Sequence, residues 1–348
     1  MKSLQIGELT VRIPVIQGGM GVGVSLSGLA GAVAANGGIG VLSSAQIGYR
    51  DPEFKKSPIE TNLRVIGEEI EKAKKIAKDG IIGINIMVAT KRYADYVKAA
   101  VKAGVDLIIS GAGLPTMLPE LVKGSKTKIA PIVSTIKSAQ VICRLWDRKY
   151  QKVPDMVVIE GPRAGGHLGF SLEQLEQFTP EVYNQEIKGI IELVKTFGDK
   201  YQTHIPVIVA GGIYDRKDIE AVLALGADGV QMGTRFVTTY ECDSCEAYKQ
   251  TYIDCQKEDI VVTKSPVGLP GRAITNKFLT GGKEPIEKCY QCLEHCKPAE
   301  IPYCITRALV NAATGNTEEA LLFCGDNAWR ATKLEHVSEI MKELSGEA

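Results

Sequence analysis

IPVIVAGGIYDRKDIEAVLALGADGVQMGTRF, residues 205–236, holds one complete strand–helix–strand unit. IPVIVAG (205–211) is an unbroken apolar run, as a strand buried on both faces requires. DRKDIEAVLALGA (215–227) spaces its apolar residues for one face of a helix. DGVQMG (228–233) is a second short apolar run. Glycine turns join the three.

The same unit recurs toward the N-terminus. Strands are expected at 12–18, 38–44, 80–87, 105–111, 128–134 and 155–161. Helices are expected at 26–36, 62–79, 93–104, near 115–123, at 138–149 and at 180–199. With 205–211 and 228–233 this makes eight strands, nearly every one followed by a helix. Eight βα units closing on themselves form an α/β TIM (β/α)8 barrel. A doubly wound sheet would place a G-x-G-x-x-G turn after its first strand. GGMGVG (18–23) has the wrong spacing for that.

The 348 residues are 45% hydrophobic, which is ample for such a barrel as one domain. Lys+Arg and Asp+Glu are both 41, and no basic stripe interleaved with aromatics appears. A nucleic-acid partner is therefore not expected. The longest apolar stretches run to about seven residues, too short to cross a bilayer. The first residues, MKSLQIGELTVRIPVIQ, carry no apolar signal region. A cytoplasmic protein is expected, and a homodimer is compatible with the sequence.

In this barrel the residues just after each strand line the active site. Five of the eight segments there carry glycine, which suits a flat ligand pressed against backbone. AGGI (210–213) and MGTRF (232–236) follow strands seven and eight, where such barrels commonly bind phosphate. Gly211, Gly212, Gly233 and Thr234 are the expected phosphate contacts. Arg235 either neutralises charge there or forms a structural pair. VVIEGPRAGGHLGF (157–170) places His167, one of four histidines, among glycines at the end of strand six. Proton removal beside a nitro or carbonyl group needs a base of near-neutral pKa, and imidazole has one. His204, His295 and His336 read as structural or solvated, with His295 the least settled.

IPVIQGGMG, GINIMV, EGPRAGGHLG, IPVIVAGGI and GADGVQMGTRF, in order over residues 10–280, resemble the motifs of the nitronate monooxygenase family. The FMN-dependent enoyl-acyl-carrier-protein reductases share them. The resemblance implies FMN at the barrel mouth. Gly18, Gly19 and Met20 would then lie beside the flavin ring, and Asn85 would hydrogen-bond its edge. Glu160, Gly165 and Gly166 would also lie on the cofactor side, and His167 would be the catalytic base. The implied activity is oxidation of an alkyl nitronate with O2. The alternatives on the same barrel are an NAD(P)H-dependent enoyl thioester reductase and an NAD(P)H:quinone reductase. Many relatives carry an acidic residue where this chain has Arg163, which either draws an anion or points to solvent.

Two rivals lie outside that class. One is a flavin-free barrel of the IMP dehydrogenase type, whose nucleophilic cysteine after strand six is missing here. The other is a non-catalytic metal- or redox-sensing barrel. Most of the nine cysteines fall in the last third. Cys289, Cys292 and Cys296 stand at C-x2-C-x3-C, with Cys304 following. Three readings stay open: a zinc or iron–sulfur site on these four, redox-active thiols, or reduced packing cysteines. The expected division is a barrel core over 1–236, a Cys-rich insertion or lid over 237–330, and a C-terminal helix over 331–348.

Overall fold

In the computed structural model, which describes residues 1–266, 268–281 and 286–346, eight parallel strands close into a barrel. Residues 267 and 282–285 of the expected insertion, and 347–348 of the expected C-terminal piece, lie outside the described residues. The strands are β1 (Val15–Gln17), β2 (Ile39–Ser43), β3 (Ile81–Asn85), β4 (Leu107–Ser110), β5 (Lys128–Val133), β6 (Val157–Glu160), β7 (Val207–Ala210) and β8 (Gly229–Met232). They pair in chain order, and β8 closes the ring on β1 through Val230 opposite Val15. This is the expected TIM barrel, with all eight strands inside the expected ranges.

The strand period of two sorts each strand between two cores. Leu107 and Ile109 face the barrel interior with Ile16, Val158 and Ile208. Ile108, Val157 and Ile159 face the surrounding helices. The helices begin where local chemistry allows. Pro58 and Pro180 start two of them, where a missing N–H costs nothing. Thr135 with Ser138, and Asp215 with Asp218, form reciprocal caps on two others.

The bottom of the barrel is sealed by an antiparallel hairpin, Leu4–Ile6 with Leu9–Val11. Its Leu4, Ile6 and Val11 are buried in the same cluster as the interior. Sequence patterning missed this hairpin, because each strand has only three residues. The open end is therefore the C-terminal one.

After β8 the chain forms helix Glu246–Asp254, the hairpin of β9 (Ile260–Lys264) and β10 (Pro270–Ile274), and helix Ile305–Thr314. Helix Val337–Ser345 then packs against helix Ser27–Ala35, inside the expected C-terminal stretch. Tyr248, Tyr252, Leu322 and Cys324 of this last third are buried in the barrel's outer core. A smaller cluster around Tyr303, Ile305 and Leu321 is its own. Among the described residues no helix is long and apolar enough to cross a membrane.

Candidate active site

The C-terminal mouth of the barrel opens into a cavity of about 800 Å³. His167 and every residue expected on the cofactor side line it. Five inward positions at the strand ends are polar: Ser43, Asn85, Ser134, Glu160 and Gln231. Sequence reading singled out only Asn85 and Glu160 of these. Carrying the two-residue period one step beyond Val41 and Ile132 reaches Ser43 and Ser134.

The loop after β6 is held from outside the barrel. Gly166–His167 forms a two-residue strand against β10, with His167 opposite Gly271. Leu168 N–H donates to Pro270 O at 2.8 Å. Gly165 is required by packing: a Cβ there would lie 2.6 Å from the backbone carbon of Cys324. His167 is thus placed by the last third of the chain, across a long sequence gap.

Its environment sets its charge. Burial depresses the imidazole from 6.5 to about 4, so the ring is neutral at ordinary pH. Nε2 lies 2.7 Å from Ser265 Oγ. The Phe323 ring meets the imidazole edge-on, with centroids 5.0 Å apart. Ser265 and Phe323 were not legible as site residues, since both come from the β10 region and the chain beyond it.

Glu160 ends β6, opposite Ala210 of β7. Burial pushes its carboxyl up from 4.5 to about 7. Asn85 and Gln231 line the same cavity from β3 and β8.

The β7 and β8 loops are laced together by one turn, Cys324–Asn327. Gly325 N–H donates to Thr234 Oγ1 at 3.1 Å, and Asn327 Nδ2 donates to Gly212 O at 2.8 Å. Gly211 and Gly212 have φ of +94° and +84°, a region side chains rarely enter. Arg163 turns to the same loop: its Nε donates to Asp326 at 2.7 Å and its Nη2 to Asn327 at 3.2 Å. Its side chain stays exposed, as the solvent-facing expectation has it, while paired with this turn. Arg235 is buried and paired with Glu335 and Glu343, which is the structural alternative.

Of the other histidines, His204 pairs with Asp228 at 2.7 Å and His336 with Glu241 at 3.0 Å, while His295 is exposed. Among the described residues no group of three His, Cys, Asp or Glu side chains is placed to hold a metal ion. The expected set of Cys289, Cys292, Cys296 and Cys304 does not form one. Cys289 is exposed, whereas Cys292 lines the cavity and packs on the small cluster of the last third. Burial pushes the Cys292 thiol up to about 11. Cys242 and Cys245 point to different carbonyls, Val24 O and Ala312 O.

The family model described as nitronate monooxygenase matches residues 2–347. The chain belongs to the nitronate monooxygenase family. It is 30% identical to a probable nitronate monooxygenase of Staphylococcus saprophyticus, over 78% of each chain. Among solved structures it superposes on FabK from Thermotoga maritima with a TM-score of 0.71 and 26% identity, over 97% of this chain and 93% of that one. A nitroalkane oxidase from Streptomyces ansochromogenes shares the fold, with a TM-score of 0.70 and 21% identity over 96% and 95%. The family and these relatives make this member of the nitronate monooxygenase family an oxidoreductase.

Proposed function

We propose that this family member is an FMN-dependent enzyme that oxidises alkyl nitronates with O2. The observation that carries the reading is His167, fixed through Nε2 by Ser265 at the mouth of a cavity ringed by glycines. The chain's residues fit FMN on three counts. The positive-φ glycines Gly211 and Gly212 leave the β7 loop without side chains. Gly233 adds a bare segment beside Met20, and Thr234 a hydroxyl. Polar groups on the cavity floor, Asn85, Glu160 and Gln231, match the edge of a flat heteroaromatic ring. FMN, when bound, supplies the electron chemistry.

The protein's part is proton handling and shelter. With Nε2 facing Ser265, His167 Nδ1 is the nitrogen left for a substrate proton. That role requires the tautomer in which Nε2–H donates to Ser265 Oγ. A neutral nitroalkane would lose its α-proton to Nδ1. A preformed nitronate needs no base and only has to be oriented.

A second reading, an NAD(P)H-dependent enoyl thioester reductase, is favoured by the apolar side of the cavity. Leu269, Leu293, Ile305, Leu309 and Phe323 line it, as an acyl chain would require. Assays separate the two. Nitronate-dependent O2 uptake without NAD(P)H supports the first. NADH consumption with an enoyl thioester, and no nitronate turnover, would replace it with the second. A protein that neither carries nor takes up FMN would sink both.

A further inference from the structure

The apolar side of the cavity is built by the last third of the chain, and it has an inner boundary. Leu293 lines the cavity together with Ile305 and Leu309 of the helix Ile305–Thr314. All three pack in the small cluster around Tyr303 and Leu321. The segment that carries Leu293 is stitched to the loop after β3. Leu293 pairs with Thr90, Lys91 N–H donates to Cys292 O at 3.1 Å, and Glu294 N–H donates to Ala89 O at 3.0 Å. This apolar annex is thus a fixed extension of the barrel mouth. Among the described residues no cationic side chain lines it; Arg163, the one arginine on the cavity wall, belongs to the loop after β6 and is paired with Asp326.

Phe323 stands where the annex meets the His167 end of the cavity. Its ring meets the imidazole at 5.0 Å between centroids and 70° between planes, and it also packs on the annex cluster. Gly271 of β10 gives the ring its place: a Cβ there would lie 2.9 Å from Phe323 Cε1. The backbone under the ring is held from two sides. Phe323 pairs with Ala273 of β10, and its carbonyl accepts from the Tyr248 and Tyr252 hydroxyls at 3.1 and 2.6 Å. Both tyrosines line the cavity, but their protons are spent on that carbonyl.

We propose that Phe323 is a specificity-determining residue for substrates with an uncharged, unbranched alkyl tail, which runs past its ring into the annex. The inference rests on the nitronate reading above and deepens it by naming the substrate class. A reacting carbon within reach of His167 has its neighbouring carbons against the Phe323 ring. A branch there meets a ring backed by β10 at Gly271. Farther along, each methylene leaves water for the walls formed by Leu293, Ile305 and Leu309. A carboxylate at the end of the tail would lose its hydration with no cation to pair with. The annex therefore favours nitroalkane nitronates over nitro acids.

The test is kcat/KM of the FMN-loaded enzyme toward preformed nitronates of a linear series from nitroethane to nitrohexane, with a branched isomer and a nitro acid of matched length. The value is expected to rise by roughly fourfold per methylene. The branched isomer and the nitro acid should fall at least roughly tenfold below the linear nitroalkane. Leu309→Trp fills the annex and should flatten the rise while leaving nitroethane turnover within about twofold. Phe323→Ala should narrow the gap between branched and linear substrates by roughly tenfold. A wild-type profile that is flat or falls with length, or a nitro acid turned over as well as its nitroalkane, would overturn the proposal and leave the nitronate reading standing. So would a rise that survives in Leu309→Trp, or an unchanged branching gap in Phe323→Ala. Should Leu309→Trp fail to fold, Leu293→Trp fills the same space and decides. No turnover of any nitronate would remove the reading and the proposal together.

Discussion

His167 Nε2 and Ser265 Oγ lie 2.7 Å apart, across a span of 98 residues. One belongs to the barrel loop after β6 and the other to the hairpin laid over it. The pair orients the imidazole, and burial keeps it neutral down to about pH 4. The acid limb of kcat/KM with a neutral nitroalkane should therefore fall near pH 4 rather than 6.5. Replacing His167 by Asn should lower that rate by roughly 100- to 10,000-fold while FMN content is retained. Ser265→Ala should cost roughly tenfold through loss of the tautomer lock. Nitronate turnover should suffer much less in both, because no proton is removed. Equal losses on both substrates would show that His167 is not a base.

The phosphate end gives a different signature. Thr234 joins the β8 loop to Gly325 by accepting from its N–H, which leaves its own hydroxyl proton to donate. Thr234→Val should weaken FMN binding by roughly tenfold or more, since hydrogen bonds to charged groups are strong. Riboflavin, which has no phosphate, should bind both proteins within about twofold of each other. Parallel losses for the two flavins would mean that the variant disturbs the Cys324–Asn327 turn rather than a phosphate contact.

The barrel was legible because its information is local. Each strand is one apolar run between glycine-rich turns, and each helix shows its own period. The glycine rim and His167 were legible for the same reason. What escaped is what depends on distant pairing. Ser265, Phe323, Asp326 and Asn327 reach the site only because β10 pairs with Gly166–His167 and the turn at 324–327 laces the loops after β6, β7 and β8. No periodicity in their own segments announces this. Arg235 shows the limit from the other side. Its position beside the expected phosphate loop suggested a ligand role, yet its partners, Glu335 and Glu343, lie about a hundred residues on.

That ion pair carries its own expectation for stability. Arg235 is buried, Glu335 nearly so, and Glu343 is half exposed. Glu335→Gln should leave the guanidinium short of a buried partner and cost roughly 3 kcal/mol in urea unfolding. Glu343→Gln should cost less than about 1 kcal/mol, as exposed pairs do. Because the pair anchors the C-terminal helix to the β8 end, FMN should protect the Glu335 variant from heat no more than it protects wild type, and less if the β8 loop loosens.

The cysteines divide by exposure, and thiol labelling can read the division. Cys289 is exposed and should react first with a thiol reagent. Cys143, Cys242 and Cys324 are buried, and burial pushes the Cys143 thiol up to about 12. They should react only once the protein unfolds. Cys292 lies between these groups: it lines the cavity, and its thiol is pushed up to about 11. Its labelling rate should climb about tenfold per pH unit through the neutral and mildly alkaline range, because the thiolate is the reactive form. Peptide mapping by mass spectrometry would follow each site. A Cys292 that labels as fast as Cys289 near neutral pH would contradict its partial burial against the small cluster of the last third. A Cys292 that stays unlabelled until a chelator is added would revive the metal reading that the geometry of the four thiols does not support.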